Sequence, residues 1–282
     1  MTAVITEQVR PADGTGRRKR AGLAGTLRAE RTKIFSVRST YWALALLMLV
    51  AVGWSIGDCA GVAAHWSHTP AQARAGLDPT QDSLIGLVLL GQLVIVALGA
   101  LTITTEYSTQ AIRTSLTVMP RRGVLFTAKG LVFTVVAAVV AFAASFIAFF
   151  TGQALLASTH AGATLSQPNV LRAIVASAIV VVLCGLLTYG VGAALRSTAA
   201  TMTTVYGILF LLPQLVRALP VSWYDDVIRW IPGGQYDGVI SSTGSAQLIP
   251  HMFGIWGEVA VMAGYAILGL ALGAWAMHRR DA

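Results

Sequence analysis

Six separate runs of apolar residues occupy most of this 282-residue chain, near 41–63, 84–104, 124–150, 170–193, 199–218 and 257–277. A helix needs about 20 such residues to cross the hydrocarbon core of a bilayer. Lipid offers no water to backbone N–H and C=O groups, so a run that crosses must satisfy its own backbone as a helix or pair it within a closed barrel. Barrel strands are short and alternate apolar with polar residues, and these runs do not alternate. The expectation is an all-α membrane protein with six transmembrane helices. The third run is long for one crossing and is expected to tilt or protrude. Composition agrees: only 11% of the residues are charged, against roughly a quarter in soluble domains, and the mean hydropathy is +0.69.

Lysine and arginine set the orientation. With an even number of spans both termini share one side, and that side carries sixteen of the 20 basic residues, nine of them before the first span. The other side keeps Arg74, Arg172, Arg217 and Arg229. Both termini are therefore expected in the cytoplasm, and the net charge of +8 reflects topology and attraction to anionic lipid. No soluble domain is available to hold nucleic acid. Residues 1–22 are polar and carry Arg17-Arg18-Lys19-Arg20, which predicts a disordered basic cytoplasmic tail. Residues 23–282 then form a single six-helix membrane domain. The first apolar run begins too far in for a signal peptide. Cys59 and Cys184 fall at different depths and read as inert packing groups.

Residues 23–40 predict an interfacial helix. Leu23, Leu27, Ile34, Val37 and Tyr41 share one face at 100° per residue, with Arg31, Lys33 and Arg38 flanking it. The helix is expected to run directly into the first span at Tyr41-Trp42. Glu30 falls inside the apolar stripe, where a carboxylate is costly unless paired. Two partnerships are open: a local pair with Arg31 or Lys33, or a lock onto a more distant cation such as Arg113 or onto a partner protein.

In span one Gly53, Gly57 and Gly61 recur at four-residue spacing, as do Gly269 and Gly273 in span six. Such spacing lets another helix approach closely, within the chain or from a second copy. Residues 105–120 predict a short amphipathic cytoplasmic helix with Ile112, Leu116 and Met119 on one face and a stop at Pro120. A helix this short is marginal alone and is expected to pack on something. The stretch 213–256 is rich in proline, glycine and tryptophan, and its apolar pieces are too short to cross; it predicts short helices dipping into the outer interface before span six. His65 and His68 lack a nearby third ligand, so no metal site is expected.

Two of these segments resemble a known family. Leu27-Arg28-Ala29-Glu30-Arg31-Thr32-Lys33 with Ser36-Val37-Arg38-Ser39-Thr40-Tyr41-Trp42, and Glu106-Tyr107-Ser108-Thr109-Gln110-Ala111-Ile112-Arg113-Thr114 with Met119-Pro120-Arg121-Arg122, resemble bacterial type-2 ABC exporter permeases. Six spans, an interfacial helix and a re-entrant outer segment before the last span fit that family as well. The resemblance implies a transmembrane subunit of the bacterial cytoplasmic membrane that dimerises, as a homodimer in preference to a heterodimer, and binds two copies of a separate ATPase. ATP and Mg would sit on that partner, with no cofactor and no enzyme activity on this chain. It further implies a coupling helix docking on the ATPase, here Glu106, Tyr107, Ile112, Arg113 and Leu116, with Glu30 beside it, and spans two and five lining the pathway. Independently, the chain contains no Gly-x-x-x-x-Gly-Lys-Ser/Thr phosphate cradle.

The polar residues inside the spans are few. Gln92 reads as interhelical glue or pathway lining, and Thr203 and Thr204 as pathway lining. Ion-driven carriers need ionisable groups or broken helices at mid-membrane, so an energy source outside the membrane domain is the economical expectation, with amphipathic or hydrophobic cargo such as a drug, lipid or peptide. The rival expectations are a partner-independent channel or ion-driven carrier, and a regulatory membrane scaffold. An intramembrane enzyme lacks its motifs: there is no HExxH and no GxSxG.

Overall fold

The computed structural model describes residues 23–109, 122–159, 161–218, 223–233, 236–243 and 253–279. Among these residues there is no strand. Six helices are long and apolar enough to cross a membrane: Arg38–His68, Pro79–Ser108, Arg122–Thr159, Val170–Leu195, Thr198–Arg217 and Ile255–Arg279. These are spans one to six, as in a multi-pass membrane protein, and each encloses or nearly matches its apolar run. The third is 38 residues long, or about 57 Å at 1.5 Å per residue, well beyond one straight crossing. The basic tail expected at 1–22 and the residues Ile112, Arg113 and Leu116 lie outside the described residues.

A separate helix, Leu23–Ser36, precedes span one. It does not run straight into it, as the apolar spacing predicts. Val37 is extended at φ −91°, ψ 114°, and span one begins at Arg38. The stop is local chemistry: Ser36 Oγ donates to the carbonyl of Lys33 at 2.8 Å, and Tyr41 Oη donates to the carbonyl of Phe35 at 2.9 Å. Side-chain donors thus occupy carbonyls at the helix end. The break changes the faces as well. Val37 and Tyr41 are exposed, and the buried line is Thr26, Glu30 and Ile34.

Spans two and four make the centre of the bundle, with 61% and 67% of their central stretches buried against 22% for span one. Small residues bring the backbones together there. A Cβ on Gly99 would lie 2.7 Å from the Gly185 carbonyl, and one on Gly273 would lie 2.5 Å from the Gly190 carbonyl. Spans two and four, and four and six, therefore cross backbone to backbone. Hydroxyls add interhelical bonds: Ser55 Oγ to Ala148 O at 2.6 Å, Ser145 Oγ to Ile174 O at 2.7 Å, and Tyr206 Oη to Leu93 O at 2.7 Å. Tyr189 is fully buried, stacks on Phe126 at 5.0 Å and donates to its carbonyl at 2.8 Å.

Spans two and five are each interrupted by a widened, π-helical turn, at Leu87–Gly91 and Gly207–Leu211. In span five the cause is in the sequence. Pro213 has no N–H to give to the carbonyl four residues back, which is that of Leu209. The ladder shifts at that point, and the helix widens.

Candidate functional site

Polar chemistry collects at the two ends of the bundle. At the end carrying the N-terminal helix, Glu30 is 1% exposed. Around it stands a closed ring of alternating charge. Lys33 Nζ is 3.0 Å from Glu30 Oε1 and 3.2 Å from Glu106 Oε1; Lys129 Nζ is 2.7 Å from Glu30 Oε2 and 2.7 Å from Glu106 Oε1. The ring ties three elements: Glu30 and Lys33 on the N-terminal helix, Glu106 in the last turn of span two, and Lys129 seven residues into span three. Glu106 and Lys129 are buried with Glu30, while Lys33 is half-exposed. Two carboxylates and two ammoniums leave no net charge, which is what burial of four ionised groups requires. Desolvation alone would raise the Glu30 carboxyl. The ammoniums of Lys129 and Lys33 outweigh it and hold the group below the ordinary carboxylate range. Burial would likewise lower Lys33, but Glu30 and Glu106 keep its pKa above the usual lysine value. A cavity of about 260 Å³ opens beside the ring, walled by Ser36, Ser39, Thr40, Thr102 and Thr105.

Both partnerships open to Glu30 on sequence grounds, local and distant, are present at once. The distant cation is Lys129, which sequence reasoning passed over. Its signal was available: a lysine well inside an apolar run needs a partner. Tyr107, next to the ring, lies under the guanidinium of Arg196, 5.0 Å from its ring centroid. Arg196 stands in the left-handed region at φ 57° between spans four and five, so the end of span two also touches that connection.

At the opposite end, Asp78 caps span two. It is 4% exposed and accepts hydrogen bonds from the backbone N–H of Thr80 and Gln81. Asp-Pro-Thr is a readable helix start, with an N-cap followed by proline at the first helical position. The same carboxylate reaches across the fold. It accepts from Ser241 Oγ at 2.8 Å, from Ser242 N and Oγ at 2.6 and 2.8 Å, and from Thr243 N and Oγ1 at 2.9 and 3.1 Å. Burial would raise its pKa, yet the donors of Thr243, Ser241 and Ser242 hold it below the ordinary value.

The segment clasped there contains two short helices, Tyr224–Ile228 and Tyr236–Ile240. It also engages both widened turns. Gly233, at φ +84°, passes directly against the Leu209 carbonyl freed by Pro213; a side chain has no room there, and the left-handed φ favours glycine. Tyr236 Oη accepts from Gln92 Nε2, which also donates to Cys184 Sγ at 2.9 Å. Gln92 directly follows the widened turn of span two. It is fully buried and joins spans two and four to the clasped segment. Thr203 and Thr204 are exposed on span five. Between spans two and five, beside Tyr236, lies a cavity of about 150 Å³ walled by Leu89, Phe210, Pro213, Gln214 and Arg217.

The glycines divide. Gly269 and Gly273 of span six pack on span four, while a Cβ on Gly53, Gly57 or Gly61 would meet no atom of the described residues within 4 Å. The span-one stripe is open along the surface of the chain. Comparison with protein-family models and with curated proteins finds no match for the chain.

Proposed function

We propose that this chain is the transmembrane permease subunit of an ATP-driven exporter, with the energy supplied by a separate ATPase. The charge ring is the observation that carries this reading. It fastens the N-terminal helix, the end of span two and span three into one unit on either side of residues 110–121, the segment with the coupling-helix pattern. A partner that pushes on that segment then moves three elements together, and buried ion pairs transmit displacement because separating them is costly. In this reading the ring faces the cytoplasm of a bacterial cell and the Asp78 clasp faces outward. The short helices at 224–240 are the re-entrant outer segment. ATP-driven closure of the partner is relayed through the ring, and spans two and five line a pathway for amphipathic or hydrophobic cargo. The open glycine stripe of span one is available to a second copy, giving a homodimer.

The test is to co-express the chain with its candidate ATPase and measure cargo-stimulated hydrolysis in the purified complex. Arg113→Ala together with Leu116→Ala lowers the stimulation while permease self-association survives. Full stimulation in that double variant discards the coupling role, and cargo movement by the chain alone without nucleotide discards the ATP-driven reading.

A further inference from the structure

The ring consumes Lys33 and Lys129 but leaves two further cations of the N-terminal helix unused. Arg28 and Arg31 are exposed, and among the described residues neither guanidinium has an ion-pair partner. Both line the roof of a groove of about 550 Å³ that the N-terminal helix forms with spans one and three. Leu27 and Phe35 continue the roof. Below it the walls are Leu44, Leu131, Val132, Val135, Val136 and Val139, all aliphatic. Leu131, Val135 and Val139 are exposed along one line of span three, running about 12 Å at 1.5 Å per residue.

We propose that this groove is a discrete binding site for one anionic phospholipid. Its phosphate pairs with Arg28 and Arg31, and one acyl chain lies along span three. The layout matches a lipid and no simpler ligand. A free phosphate has no use for an aliphatic trough, and a neutral lipid or an apolar partner helix leaves both guanidiniums without a counter-charge. Basic groups at a membrane surface recognise anionic headgroups, and planar guanidiniums grip phosphate with paired hydrogen bonds. The volume lies in the range of sites that enclose small ligands. Because the N-terminal helix roofs the groove and also carries Glu30 and Lys33, a bound lipid braces the ring from its far side. The site does not depend on the transport reading.

Native mass spectrometry of the full chain in neutral detergent tests this, with phosphatidylglycerol and phosphatidylcholine of identical acyl chains as probes. One phosphatidylglycerol is retained per chain, with a preference over phosphatidylcholine of roughly thirty-fold, the contribution of two basic side chains near a bilayer surface. Arg28→Gln with Arg31→Gln, both exposed and away from the ring, removes the preference. Val135→Trp fills the trough and weakens both lipids alike, and the single Arg31→Gln variant gives an intermediate preference. Equal retention of the two lipids by the unaltered chain, unchanged retention in the glutamine variants, or displacement of phosphatidylglycerol by inorganic phosphate overturns the proposal.

Discussion

The two ends of the bundle bury carboxylates by opposite means. Glu30 and Glu106 are neutralised by two ammoniums in a closed ring. Asp78 has no cation among the described residues and is satisfied by seven hydrogen bonds from neutral donors. The ring depends on its buried members, because removing one of them leaves charge of the other sign under-compensated in a dry place. The clasp is graded, because each donor is one of many. In the proposed coupling, firm linkage suits the end that receives the partner's push and divisible linkage the end that opens.

Lys129→Met carries the largest expected effect. It leaves Glu30 and Glu106 sharing the half-exposed Lys33 and costs about 3–5 kcal/mol, read as lost thermal stability in detergent. Adding Glu30→Gln recovers part of the loss. Unchanged unfolding in Lys129→Met would mean that the ring does not hold the N-terminal helix.

Asp78→Ala comes next. It removes a charged acceptor from five donors on residues 241–243 and costs about 1.5–3 kcal/mol, with faster proteolysis within 236–243. Ser241→Ala takes away one donor and costs about 1 kcal/mol. If the two substitutions cost the same, the clasp is not graded.

Changes of pH separate the two ends. The pKa values of Glu30 and Asp78 are depressed in the fold, so their stabilisation is complete above about 4.3 and 3.9 and fades as pH falls through the folded values. Acid therefore loosens both ends. The pKa of Lys33 is raised, so its stabilisation is complete below about 10.4 and fades as pH rises through the folded value. Alkali loosens only the ring. A broad-specificity protease should cut within 23–36 before 236–243 at high pH; simultaneous cutting contradicts the assignment. Lys33→Ala has the smallest effect, below about 1 kcal/mol and reduced further by salt, since Lys33 is half-exposed.

Much of this was legible in the sequence. The six spans follow from run length, and Glu30 was conspicuous as a carboxylate in an apolar stripe. Its partner was not legible, because Lys129 sits on another helix, and helical periodicity says which face a residue takes but not which neighbour it meets. The same limit governs the glycines: Gly53, Gly57 and Gly61 share the spacing of Gly269 and Gly273, yet among the described residues only the latter find a backbone, Gly269 at Leu187 and Gly273 at Gly190. The break at Val37 was hidden because apolar spacing continues through it while Ser36 and Tyr41 act on the carbonyls. Asp78 announced a helix start, but its donors at 241–243 lie far along the chain. Ile112, Arg113 and Leu116 fall outside the described residues, so their part in the proposed coupling rests on the pattern of the segment.

The widened turn at Leu87–Gly91 divides span two between these regimes. On one side of it the helix answers to Asp78, on the other to Glu106. A widened turn is a place where a helix bends, so the two halves of span two need not share one axis. The half ending at the ring and the half ending at Asp78 can then take different directions, and Gln92, just past the turn, fastens that junction to span four and to Tyr236.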